Sequence, residues 1–202
     1  MKGRLRLESS LTFVQEACGL RWRKLAGSEQ ALVFNGNAED RIMTIEVGDR
    51  IPTIELFVMT ADGPGPISSD VLFRGKRVAL FGVPGAFTRT CSAQHLPGFV
   101  EGVDAFKAMG IDEVICLSVN DAAVLAAWAR EHGADGKVTM IGDGCLNFTR
   151  AAGFEIDMSA KGYGRRCRRF SMIVDNGVVT HLHLEEPGAF GETSAETLLA
   201  DL

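Results

Sequence analysis

The sequence predicts an open α/β sandwich, and three observations carry that prediction. From residue 43 onward, short apolar runs alternate with stretches of helical periodicity. One of these runs, ArgValAlaLeuPheGlyVal at 77–83, is apolar without alternation, as a strand buried on both faces would be. The last third carries two strand-like runs joined by Asp175-Asn176-Gly177, then a helix signal. Parallel strand-helix units closed by an antiparallel hairpin and a terminal helix make that architecture.

Taken in order, residues 44–47 and 54–58 read as extended pieces, followed by a turn at AspGlyProGlyPro, 62–66. The run 77–83 is the central strand. After a Pro-Gly turn, a helix is expected from about Thr90 through Val100 to Met109, kinked by Pro97. Residues 113–119 form the next strand, Asp121 caps a helix over 122–130, and 138–142 is another strand. PheSerMetIleVal and ValValThrHisLeuHisLeu make the hairpin around the Asn-Gly turn, and Ser194 opens the closing helix.

Residues 1–42 differ in composition. Lys2, Arg4, Arg6, Arg21, Arg23 and Lys24 face only Glu8 and Glu16 across the first 27 positions, while the rest of the chain is acidic. Leu11, Val14, Cys18 and Trp22 recur at helical spacing, so a weak amphipathic helix is expected there. The segment reads as an N-terminal extension: an unstructured tail, a start upstream of the functional Met43, or a targeting-like peptide. The first two readings place the protein in the cytoplasm, and residues 43–202 form the functional domain.

Of the 202 residues, 21 are Lys or Arg and 26 are Asp or Glu, for a net charge of −5, which excludes a generally basic nucleic-acid binder. Hydrophobic residues make up 46% and charged residues 23%, enough for a sizeable core. Every apolar run is interrupted well short of the ~20 residues of a membrane-spanning helix. The five cysteines, Cys18, Cys91, Cys116, Cys145 and Cys167, form no CxxC pair, and His95, His132, His181 and His183 show no zinc spacing. A disulfide framework, a structural zinc and a disulfide reductase are therefore disfavoured. Each thiol is either packing or reactive.

The stretch ValProGlyAlaPheThrArgThrCysSer, 83–92, decides between these. It sets Cys91 where a buried strand hands over to a helix, facing backbone N–H groups and the positive end of the helix dipole. A free thiol titrates near ~8.5, and bringing one to ~5.5 takes about 4 kcal/mol at ~1.4 kcal/mol per unit. A helix terminus contributes roughly 0.3–2 kcal/mol, so a cation has to add the rest. The cluster ArgArgCysArgArg at 165–169 is the source. Strand alternation puts Arg169, Ser171 and Ile173 on one face and Phe170 and Met172 on the other, and Cys167 shares the parity of Arg169. Thr88 is placed to donate a hydrogen bond to the sulfur or to a bound oxygen, and Pro84 shapes and shields the loop.

Pro84-x-x-x-Thr88-x-x-Cys91 resembles the active-site signature of the peroxiredoxin family. The blocks GlyValProGlyAlaPheThr, CysSer, HisLeuProGlyPheVal, CysLeuSerValAsnAsp and ArgPheSerMetIleValAspAsnGlyValVal resemble its peroxiredoxin-5 subfamily, also called type II or atypical. The resemblance spans nearly all of 43–202. It implies a thioredoxin-like α/β fold, a central mixed sheet flanked by helices. It also implies reduction of hydrogen peroxide and organic hydroperoxides through a cysteine sulfenic acid, in antioxidant defence, with no metal or flavin, and a homodimer. Carried over, Cys91 resembles the peroxidatic cysteine, Thr88 and Arg169 its activating partners, and Pro84 the pocket wall. His95, one helical turn on, is a secondary pocket residue or a helix-face residue bonded to backbone.

The second half of the cycle stays open. Where some relatives have a resolving cysteine near the C-terminus, GlyGluThrSerAla offers Ser194. Cys116 sits at a spacing that resembles the second cysteine of plant type II members, although mid-strand burial suits it equally. These features favour recycling of Cys91 by glutathione or glutaredoxin. The alternatives are a Cys91–Cys116 disulfide reduced by thioredoxin, and a peroxide sensor or redox relay.

Overall fold

Seven strands form one mixed sheet in the order β2-β1-β5-β4-β3-β8-β9 in a computed structural model of the chain, which describes residues 44–202. The N-terminal extension, its expected helix and Cys18 lie outside the described residues. The run 77–83 is the inner strand β3 (Arg77–Val83), parallel to β4 (Glu113–Ser118) and antiparallel to β8 (Phe170–Asp175). Beyond β4 lies β5 (Thr139–Gly142), also parallel, and beyond β8 lies β9 (Val178–Leu184). Inner placement explains the unbroken apolar run, because alternate residues of β3 enter two different cores. Ala79, Phe81 and Val83 pack with α2 (Leu96–Ala108), α3 (Ala122–Glu131) and α5 (Ala195–Ala200), while Val78 and Leu80 pack on the opposite face.

Local signals act where the sequence placed them. Asp121 Oδ1 accepts from Val124 N–H at 2.9 Å and starts α3, and Ser194 Oγ accepts from Thr197 N–H at 3.1 Å and starts α5. Asn176 (φ 46°) and Gly177 (φ 82°) form the two-residue turn between β8 and β9, both left-handed as a type I′ turn requires.

The structure corrects several local expectations. Residues 44–47 are not a strand. Ile45 N–H bonds to Ala152 and Gly48 N–H to Val179, so the segment is satisfied by separate neighbours instead of one ladder. The expected turn at 62–66 shrinks to its first residues. Gly63–Ser68 is β2, paired with β1 (Glu55–Thr60), and it accommodates Pro64 and Pro66 because it is an edge strand. Pro97 does not kink a regular helix. The turn before it widens into a π turn, Cys91–His95, in which Leu96 N–H reaches five residues back to Cys91 C=O. The wider turn absorbs the donor that proline lacks and the clash of its ring with the preceding turn. Four short elements escape the sequence signals: α1 (Ser69–Phe73), α4 (Asn147–Ala151) and the small separate sheet of β6 (Glu155–Asp157) with β7 (Arg165–Cys167). Five-residue helices and three-residue strands hold too few positions to show a period.

Register gathers one edge of the sheet. β3 ends at Val83 beside Ser118, the end of β4, while Gly82 faces Phe170, the start of β8, and Phe170 faces Leu184, the end of β9. The chain therefore delivers Pro84, Asn120, Arg169 and Glu185 to the same end of four neighbouring strands.

Candidate active site

Cys91 lies at that edge as the first residue of the π turn, with none of its surface exposed. Arg169 reaches it from the start of β8, and its Nη2 donates to Cys91 Sγ at 3.6 Å. The expected parity holds here, since Ile173 joins the core around Cys91 while Phe170 and Met172 join the opposite one. The second guanidinium nitrogen, Nη1, stands 2.9 Å from His95 Nδ1, and His95 Nε2 stands 3.0 Å from the Thr193 carbonyl. A carbonyl can only accept and a guanidinium can only donate, so the ring is neutral, protonated on Nε2 with its lone pair on Nδ1. Its pKa is lowered to about 3, first by burial and second by the Arg169 charge. His95 is 1% exposed and packs against the rings of Phe81, Phe99 and Phe190. His95 bonds to backbone, as one of its two readings has it, and its other nitrogen holds Arg169; it is not among the residues that line the cavity beside Arg169.

The loop before Cys91 is pinned from two directions. Ala86 N–H donates to Asn120 Oδ1 at 2.8 Å, and the same oxygen accepts from Ser118 Oγ at 2.8 Å. Arg166, stacked 5.6 Å from the Tyr163 ring centroid, donates through Nη1 to the Pro84 carbonyl at 3.3 Å. Phe87 holds φ at 60°, a left-handed conformation that costs a non-glycine residue about 1–3 kcal/mol and that these anchors sustain. Thr88 departs from expectation. Its hydroxyl donates to Gly85 C=O at 2.8 Å and not to the sulfur, which closes the turn around Gly85. Pro84, Thr88 and Arg169 line a cavity of about 480 Å³, together with Arg89, Met158, Tyr163, Arg168 and Pro187.

The other thiols divide by face. Cys116 pairs in register with Phe81 on β4 and shares a core with Cys91. Burial, reinforced by the nearby Cys91, pushes its thiol well above the ordinary range. Cys167 does not share a face with Arg169. It ends β7 and packs in the opposite core, because Arg168 N–H turns away to Phe154 and breaks the alternation before β8 begins. Burial pushes its thiol up to about 12. Ser194 is the cap of α5. Sequence reasoning missed Asn120, Arg166, Glu185 and Thr193. Asn120 and Arg166 lie inside motifs already noted, whereas the partners of Glu185 and Thr193 are visible only in three dimensions.

The Redoxin family profile matches residues 46–199. The chain is 44% identical over 184 residues to Peroxiredoxin-2E-2, chloroplastic, of Oryza sativa subsp. japonica, covering 89% of this chain and 82% of that protein. It is 42% identical over 163 residues to Peroxiredoxin-2E, chloroplastic, of Arabidopsis thaliana, covering 79% and 70%. Among solved structures, reduced Prx3 of Vibrio vulnificus in complex with H2O2 superposes with a TM-score of 0.75, at 44% identity over 78% of this chain and 99% of that one. The cytoplasmic expectation is overturned by these relatives, whose own names are chloroplastic. The rice match, at 89% of the chain, also extends further than residues 43–202 alone allow. With a profile spanning the domain and relatives above 40% identity, the chain belongs to the peroxiredoxins, thiol peroxidases of antioxidant defence with a thioredoxin-like fold.

Proposed function

We propose that the protein is a peroxiredoxin-5-like peroxidase in which Cys91 is the peroxidatic cysteine, Arg169 and Thr88 its activating partners, Pro84 the pocket wall and His95 the residue that aims Arg169. The observation that carries the reading is the 3.6 Å contact from Arg169 Nη2 to Cys91 Sγ, made by an arginine that itself lines a cavity with Pro84 and Thr88. The Cys91 thiolate attacks one peroxide oxygen, an S–O bond forms, and the O–O bond breaks. The departing oxygen takes a proton and leaves as water or an alcohol, and Cys91 is left as sulfenic acid. Arg169 stabilises negative charge first on sulfur and then on the departing oxygen. The Thr88 hydroxyl exchanges the Gly85 carbonyl for a substrate oxygen. A cavity of about 480 Å³ is far larger than hydrogen peroxide, which supports organic hydroperoxides as further substrates.

Recycling falls to an external thiol, glutathione or glutaredoxin. Cys116 is held as a buried neutral thiol and Cys167 faces the other core, so neither is poised to attack a sulfenic acid at Cys91. The cycle needs no metal or organic cofactor, and the assembly is a homodimer. Stopped-flow oxidation by hydrogen peroxide tests the site. Cys91→Ser abolishes peroxide consumption, and wild-type rates in that variant would sink the reading. Steady turnover supported by glutaredoxin in Cys116→Ala fits external recycling, whereas thioredoxin-driven turnover lost in Cys116→Ala identifies Cys116 as resolving.

A further inference from the structure

Glu185 follows β9, is 4% exposed, and spends its carboxyl on two backbone N–H groups and one hydroxyl. One oxygen, Oε1, accepts from Gly191 N–H at 2.6 Å, Thr193 N–H at 3.0 Å and Thr193 Oγ1 at 3.2 Å. Its own N–H donates to Arg169 C=O at 3.0 Å. The strap 186–193 thus folds back on the residue that starts it. From the strap, Thr193 C=O accepts a hydrogen bond from His95 Nε2–H, and the Phe190 ring lies 5.4 Å from the His95 ring and 5.5 Å from the Arg169 guanidinium. A buried carboxyl is costly unless its hydrogen bonds are made, and these are spent on shaping the strap.

Resting on the peroxidase reading above, we propose that Glu185 is a positioning residue for the peroxidatic centre, acting through the strap on the His95 tautomer. With Thr193 C=O in place, the His95 proton sits on Nε2 and Nδ1 is free to accept from Arg169. Without that acceptor, the proton can move to Nδ1, where it opposes an Arg169 N–H, and the guanidinium turns from Cys91. Gln at 185 presents the same accepting oxygen. Ala has none, and Asp is one methylene too short to reach Gly191 and Thr193.

The test combines kinetics with nitrogen-15 NMR of His95 in the full chain. Glu185→Ala slows Cys91 oxidation by hydrogen peroxide about 10- to 100-fold and shifts the His95 resonances from the Nε2–H toward the Nδ1–H pattern. Glu185→Gln keeps both the rate and the pattern. In a His95→Ala background, Glu185→Ala adds little further loss, because the route through His95 is already cut. If Glu185→Ala fails to fold, Glu185→Asp carries the same expectations. A folded Glu185→Ala or Glu185→Asp with the wild-type rate, an unchanged tautomer, or an equal loss in both backgrounds would overturn the proposal. The tautomer readout needs no activity, so this proposal and the assignment of Cys91 fail separately.

Discussion

Arg169 bonds two groups with one planar fork, Nη1 to His95 and Nη2 to Cys91, while 8% exposed. A point charge cannot span that pair. Arg169→Lys therefore keeps the cation but loses the simultaneous contacts, and the second-order rate of Cys91 oxidation falls about 10²- to 10³-fold, the usual loss for one preorganised donor. Stopped-flow measurement checks this. A lysine variant at full rate would show that charge alone suffices and that the fork is incidental.

Among the elements, the β3–β8 pair sets where Arg169 begins, and Gly82 is its tightest point. A Cβ added at Gly82 would lie 2.0 Å from Phe170 Cε1. Phe170 is itself wedged against Phe154 and Phe148, at centroid distances of 4.9 and 6.1 Å. The ring cannot withdraw, so Gly82→Ala destabilises the fold by about 1–3 kcal/mol. Denaturant titration reads that loss. Because Phe170 is adjacent to Arg169, peroxide reactivity drops as well. A silent Gly82→Ala would mean that β8 can slide freely.

The whole molecule has a pH window set by buried groups that stay neutral. His95 binds its proton only near pH 3 when folded but near 6.5 when unfolded, so the unfolded chain takes up more protons between those values. Stability is full above about pH 6.5 and falls as pH drops toward 3. Cys167, pushed up to about 12, and Cys116, pushed well above its ordinary value, act at the other end. Their contribution is full below about pH 9 and is lost as pH rises beyond it, since the unfolded thiols ionise first. Urea midpoints against pH check both limbs. His95→Gln flattens the acid limb and Cys116→Ala with Cys167→Ala the alkaline one; unchanged slopes would contradict these assignments.

The strand run at 77–83, the Asn-Gly hairpin, the caps at Asp121 and Ser194, and the Pro84, Thr88 and Cys91 loop were legible because each depends on neighbours a few residues away. Arg169 was legible through strand parity, which holds as long as a strand is continuous. The same rule misplaced Cys167, because Arg168 bonds to Phe154 and the backbone breaks between β7 and β8. The Thr88 hydroxyl, the edge pairing of β2, the π turn at Cys91 and the Glu185–Thr193–His95–Arg169 chain were decided by tertiary structure alone. Local sequence determined which cysteine sits at the strand-to-helix junction and which arginine stands over it. How that cation is aimed depends on hydrogen bonds between residues far apart in the chain, and only the register of β3, β8 and β9 brings those residues to one edge.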